Sequence, residues 1–264
     1  MLKEEKGGKL LEELVMKCDF QVVELVENEP AISIASYFLI IGDLHIGAMG
    51  IGDRKMDELI VQQMIIRIKK LRRLTNARGL IITGDLKERI GLPRSKLEIA
   101  LVENFLRTIA EIFDEIVIIK GNHDGMIERI ISNLEINNKM LITKRLLIIS
   151  TRRNTKILIV HGHVKLKSSV IENLGSELII ISSHTHPAVS ILPSLKLKAW
   201  GIFEVKLMST KFKWIILPAF NEVLIGLDLS SLSDQEIIRI SPFPSDAKIL
   251  KKSFLLLDLT PIID

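Results

Sequence analysis

Five short apolar runs, each closing on a cluster of histidine, aspartate or asparagine, constrain this chain more than any other feature. They are residues 37–42, 80–83, 116–119, 157–160 and 178–181, built mostly from Ile, Leu and Val. Runs this short and this continuously apolar read as strands buried on both faces, as in a parallel sheet with covering layers. The clusters that follow begin at 43, 85, 121, 161 and 184. The first three intervals, 42, 36 and 40 residues, are about what a strand–helix–strand unit or strands with a hairpin consume. In open α/β sheets, sites form outside the carboxyl ends of the strands. Clusters at five such ends can therefore converge on one rim.

The intervening sequence supplies covering layers. Met56, Leu59, Ile60, Met64, Ile68 and Leu71 make one stripe of a helix over 55–74. Leu97, Leu101, Phe105, Ile109 and Phe113 do the same over 95–113. Shorter helices are expected at 125–133 and 169–174, and strands at 20–26, 31–35, 139–143 and 146–150. From 188 onward the pattern is mostly β: 188–192, 199–207, 212–217, 223–227 and 253–259. Residues 3–17 read as an amphipathic helix docked on the body. With 264 residues and no repeat, low-complexity tract or linker, the chain suits a single domain over 30–264 after a helix-and-strand extension, 1–29.

Composition narrows the setting. Aromatics are only 5% against 47% apolar residues, so the core must come from Ile, Leu and Val. The longest apolar stretches are too short to span a bilayer, and the opening residues do not read as a secretory leader. A single cysteine, Cys18, excludes an internal disulfide and fits a reducing cytoplasm. Richness in Ile, Lys and Glu with little Gln hints at a thermophile. A net charge of +4 favours a phosphate-bearing substrate without marking a nucleic-acid binder. The basic run Lys69, Lys70, Arg72, Arg73 and Arg78 reads as the solvated face of a helix.

All six histidines (His45, His123, His161, His163, His184 and His186) fall just past the end of an expected strand, beside Asp43, Asp85, Asn122 and Asp124. In extended chain, residues i and i+2 point to the same side. Asp43-Leu44-His45 and His184-Thr185-His186 would then each present a pair of ligands. Gly121 would let the chain turn sharply at its strand end. Taken singly, an Asp-x-His or Gly-Asp pair is ordinarily a turn or a helix cap. Six histidines at strand ends together point to a metal centre. Carboxylate, amide oxygen and imidazole suit divalent ions such as Mn²⁺, Fe²⁺ or Zn²⁺, and the set is too large for one ion.

At these residues the sequence resembles the calcineurin-like metallophosphoesterases, with Asp43-Leu44-His45, Gly84-Asp85, Gly121-Asn122-His123-Asp124, His161 and His184-Thr185-His186 carrying the likeness. More narrowly it resembles archaeal phosphoesterases related to the exonuclease subunit of double-strand-break repair, and bacterial phosphoesterases associated with DNA ligase. Residues 30–34, Gly84-Asp85-Leu86-Lys87 and Leu217-Pro218-Ala219-Phe220-Asn221 carry that narrower likeness. The resemblance implies an α/β fold of two packed mixed β-sheets flanked by helices, an αββα sandwich with a dinuclear metal site at strand ends. It implies that Asp43, His45 and His186 hold one ion, Asn122, His161 and His184 the other, and that Asp85 bridges them. The ions would be two divalent metals, Mn²⁺ foremost. His123 would stand near the leaving group. Asp124 would either accept the other His123 ring proton or cap the following helix. His163, Lys165 and Lys167 would face the substrate. The activity implied is a metal-dependent phosphoesterase. Foremost it is a phosphodiesterase or nuclease of nucleic acid or nucleotide-like diesters, with two metals activating the attacking hydroxide, linked to DNA repair. A phosphomonoesterase, or a subunit binding a repair helicase or ligase partner, are the alternatives. The chain departs from the family pattern twice: Ser183 replaces a usual glycine, and Glu88 a frequent histidine.

Overall fold

The computed structural model describes residues 13–15, 23–49, 54–91, 96–134, 140–143, 145–151, 154–175, 177–192 and 194–262. In chain order these form β1 (Glu13–Val15), β2 (Val23–Leu25), β3 (Ile32–Ile34), β4 (Phe38–Ile41), α1 (Arg54–Thr75), β5 (Gly79–Ile82), α2 (Lys96–Ile112) and β6 (Glu115–Ile119). Then come α3 (Ile127–Ser132), β7 (Met140–Thr143), β8 (Leu146–Ser150), β9 (Lys156–Val160), α4 (Ser168–Leu174) and β10 (Leu178–Ser182). The chain closes with β11 (Pro187–Leu192), β12 (Leu195–Leu207), β13 (Thr210–Ile216), β14 (Leu227–Asp228), α5 (Asp234–Ile240), β15 (Lys248–Leu256) and β16 (Pro261–Ile262).

Two sheets result. One runs β2-β3-β4-β5-β6-β7, with β4 through β7 parallel; the other runs β1-β8-β9-β10-β13-β12-β11-β14, with β15 and β16 attached beyond β12. In the second sheet β9, β10 and β13 are mutually parallel. Alternation along each strand decides what each face meets. In the first sheet Leu39, Ile41, Leu80, Ile82, Ile116 and Ile118 pack against α1 and α2, while Phe38, Ile40, Ile81, Val117 and Ile119 turn to the second sheet. From the second sheet Leu147, Ile149, Ile157, Ile159 and Ile181 meet them, and Leu158, Val160 and Ile180 face α4 and α5 on the far side. The layers are therefore αββα, as the resemblance implies. Among the described residues no helix is long and apolar enough to cross a membrane.

The C-terminal part departs from the expected pattern in two places. Residues 223–227 do not form a strand of their own. The Asn221 side chain folds them into a loop by accepting from the Val223 amide at 3.1 Å, and only Leu227–Asp228 pairs, with β11. The helix α5 lies in a stretch that reads as mostly β. Seven residues are too few for a firm helical period, but Ser233 and Glu236 form a reciprocal capping box, and that Ser-x-x-Glu signature is present in the sequence. Near the other end, Glu13–Val15, inside the expected helix over 3–17, run as a strand parallel to β8; the rest of that expectation lies outside the described residues.

The seam between the sheets should dominate stability. Ile81 is fully buried there. Ile81→Ala is expected to lower unfolding free energy by about 2–5 kcal/mol, read as a fall in the urea midpoint at unchanged slope.

Candidate metal centre

The loops leaving β4, β5, β6, β9, β10 and β13 meet at one rim. Backbone bonds stitch them together: Asp43 N–H to Gly84 C=O (3.1 Å), His45 N–H to Asp85 C=O (2.8 Å), Ser183 N–H to His161 C=O (3.0 Å) and Phe220 N–H to Gly42 C=O (2.9 Å). All six histidines sit here. Their rings form two chains of contact, His123–His45–His186 and His161 with His163 and His184, at centroid separations of 4.8–6.0 Å.

The ligand pairs reach this place by a route that extended chain does not provide. Asp43 (φ 53°), His45 (φ 43°), Asp85 (φ 50°), His184 (φ 71°) and His186 (φ 45°) all occupy the left-handed region. Leu44 remains fully buried between its two neighbours. The shared direction of each pair thus comes from a left-handed residue on either side of Leu44 and of Thr185, not from strand alternation. Non-glycine residues in that region cost roughly 1–2 kcal/mol each, and such strain persists where the surroundings over-determine it. Gly121 also acts differently from expectation. It is not among the glycines of positive φ; a Cβ there would collide with the Asp85 carboxylate and amide. Close approach, rather than a sharp turn, demands glycine. Ser183 has no positive φ, so the serine fits without strain. Its hydroxyl donates to Thr83 C=O (2.7 Å) and stands 3.1 Å from His161 Nδ1.

Two triads carry the centre. The ligand atoms of Asp43, His45 and His186 lie within 4.8 Å of one another, as do those of Asp85, His161 and His184. Asp85 Oδ2 links the second triad to the first, 3.2 Å from His161 Nε2 and 3.6 Å from His45 Nε2. Asn122 Oδ1 lies 3.1 Å from His161 Nε2. His45 Nε2 and His186 Nε2 are buried without a hydrogen bond, although carboxylate oxygens lie 3.6 and 3.3 Å away. Buried acceptors converging without a shared proton are what cations between them would satisfy. The donor set fits a pair of divalent ions.

The charges agree with this. Burial pushes the Asp85 carboxyl up, but His161 and the His123 amide outweigh it and hold it well below the usual carboxylate range. Burial lowers the His161 imidazole, yet its bond to Asp85 and the charges of Asp43 and Asp85 raise it to about 9. His45 is likewise raised, against burial, by Glu88, Asp85 and Asp43. The acids draw positive charge onto whatever stands beside them.

Around the triads, other residues hold the geometry. The Glu88 carboxylate pairs with His45 Nδ1 at 2.8 Å, leaving Nε2 toward the centre; this is the carboxylate–histidine partnership common behind metal-ligating histidines. His123 Nδ1 bonds the Glu88 carbonyl, and its amide donates to Asp85 Oδ1 at 2.9 Å. Asp124 does not meet the His123 ring. Its oxygens accept from Leu86 N–H (2.9 Å) and Gly121 N–H (2.8 Å), and the N-cap of α3 is Met126. A fully buried carboxylate takes the two backbone donors that converge on it, so neither of its two expected roles is formed. Lys87 is also fully buried, its ammonium donating to the carbonyls of Arg89, Gly91 and His123. It clasps the loop after β5 to the loop that carries His123. The sequence shows this lysine only as a motif letter.

The outer residues divide. His163 is exposed, its ring 5.2 Å from that of His161 and 6.0 Å from that of His184. Lys165 lies at the rim, but its ammonium is bound to the carbonyls of Ile238, Arg239 and Ser241 at 2.7–3.1 Å. Lys167 is the exposed N-cap of α4.

Comparison with known proteins places this arrangement. The family model described as calcineurin-like phosphoesterase matches residues 36–217, more than half of the chain. A solved structure, a nuclease named MPE from Pseudomonas putida, is similar in fold at a TM-score of 0.56 and 17% identity, over 89% of this chain and 93% of that one. No curated protein matches the sequence significantly.

The clasp at Lys87 is testable through stability. Lys87→Met would leave buried carbonyls unpaired, each worth about 1–3 kcal/mol. It is expected to destabilise the fold by at least about 2 kcal/mol in chemical denaturation; a neutral result would mean that the carbonyls have other partners.

Proposed function

Because the chain belongs to the calcineurin-like phosphoesterases, metal-dependent hydrolases of phosphoester bonds, we propose that it cleaves phosphodiesters of nucleic acid or nucleotide-like substrates. The observation that carries this reading is the Asp85 carboxylate, which belongs to one ligand triad and reaches His45 of the other. The likeness in fold to a nuclease supports the diester over the monoester. Service in DNA repair, implied by the sequence motifs, belongs to the same reading, as does Mn²⁺ as the working metal.

In this reading Asp43, His45 and His186 hold one cation, Asn122, His161 and His184 the other, and Asp85 spans both. Two divalent cations, when bound by these residues, would supply Lewis acidity and would lower the pKa of bound water. Everything else falls to the chain. Glu88 fixes the His45 tautomer from behind, and the Ser183 hydroxyl and Thr83 carbonyl do the same beside His161 Nδ1. The Glu88 carbonyl can only accept, so His123 Nδ1 carries a proton, and stabilising the leaving oxygen takes the second proton of the imidazolium, on Nε2. Lys87 keeps that ring in place through the His123 carbonyl. Asp124 holds Gly121 and Leu86 together, and so the two loops that bring His123 to Asp85.

The decisive assay offers Mn²⁺-loaded protein bis-p-nitrophenyl phosphate, p-nitrophenyl phosphate and labelled single- and double-stranded DNA. Diester turnover is expected, and monoester turnover alone would replace this reading with a phosphomonoesterase. His123→Ala is expected to cut turnover about 10²–10⁴-fold while two metal equivalents still bind in calorimetry. Asp85→Asn should weaken both equivalents together. Glu88→Ala should weaken binding about 10–100-fold, the usual effect of losing a carboxylate behind a ligating histidine.

A further inference from the structure

Beyond His163 and His184 the rim opens into a cleft of about 450 Å³, whose lining includes Thr185, Lys165, Arg239 and Ser241. A second cleft of about 650 Å³ shares Lys165 and Arg239 with it and continues along α5 to Lys248. Arg239 is exposed on the last turn of α5, and its guanidinium makes no hydrogen bond or ion pair with another described residue. Glu236, the acid one turn earlier, is held by Ser233 at 2.7 and 2.9 Å.

Lys165 explains why an anion could rest here. The last carbonyls of a helix carry partial negative charge and repel anions. The Lys165 ammonium sits on three such carbonyls, those of Ile238 (2.8 Å), Arg239 (3.1 Å) and Ser241 (2.7 Å), and cancels that charge. Arg239 then stands beside a neutralised helix end, in a groove that leads from the metal centre. A planar guanidinium matches a phosphate with two parallel donors. Among the described residues the lining of both clefts contains no Trp, Tyr or Phe, so no broad aromatic platform for bases is built there.

We propose that this groove is a subsite for the phosphate flanking the scissile one, with Arg239 as its contact. The substrates are then oligonucleotides held by their backbone, without regard to base, rather than isolated diesters. This rests on the phosphodiesterase reading above and extends it to a substrate class.

The test compares wild type, Arg239→Ala and Arg239→Lys on oligothymidylate and on bis-p-nitrophenyl phosphate, which has no second phosphate. Arg239→Ala is expected to lower the ratio of kcat/KM for oligonucleotide over small diester about tenfold, with the loss in KM. The slope of log affinity against log salt should fall by about 0.7, one phosphate contact on a single strand. Arg239→Lys should restore the slope and only part of the affinity. Anisotropy of labelled oligothymidylate on chelator-treated protein should show the same weakening without turnover. Equal losses on both substrates, or an unchanged slope, would overturn the subsite. Hydrolysis of the small diester by wild type with no binding of oligothymidylate would overturn it too, leaving phosphoesterase activity standing. Absence of all ester turnover would instead sink the functional reading, and the anisotropy measurement would then decide the subsite alone.

Discussion

Two acids buried where two sheets meet, Asp43 and Asp85, are what the rest of the structure answers to. Both are essentially inaccessible to water. Isolated carboxylates at such a depth are costly, and they persist only with positive charge and donors around them. Asp43 receives the His184 amide at 3.1 Å and faces His186; Asp85 receives the His123 amide and faces His45 and His161. Imidazoles, neutral or protonated, are the flexible part of that environment, and cations are the natural completion of it.

Placing so much charge at a seam requires a frame that does not yield. The frame is aliphatic: three contiguous cores of Ile, Leu and Val, with Phe and Trp in support. It holds five site residues in left-handed backbone and still keeps Leu44 buried between two of them. Polar fasteners finish the work locally. Thr83 C=O serves both Ser183 Oγ and His161 Nδ1 and so ties the two sheets at the centre. Lys198, largely buried, donates to the carbonyls of Ala219 and Asn221, much as Lys87 does on the other side; burial lowers its pKa to about 8. Such lysines satisfy carbonyls that no strand partner can reach.

Some of the centre was open to reading from one dimension because its signals are local. A run such as Phe38-Leu39-Ile40-Ile41 announces a strand with both faces covered, and its end announces a rim. The helices α1 and α2 declare themselves through long apolar stripes. Where the signal was short, the reading weakened: α5 has only its capping box, and 223–227 was apolar enough to pass for a strand until Asn221 closed it into a loop.

By itself, then, the sequence determined the buried strands, the long helices, the strand ends and the set of donors gathered there, because side-chain period and residue type are properties of neighbouring positions; the αββα layer order came with the family resemblance. Only the tertiary structure decided what each donor does. Asp124 meets an amide 38 residues away in Leu86, Ser183 a carbonyl 100 residues away in Thr83, and Asn221 a carbonyl 177 residues away in Leu44. Glu88 stands behind His45, Lys165 is bound to the end of α5, and Arg239 is left beside it for the same reason. Partnerships across such separations depend on how the sheets pack, and no local pattern encodes them.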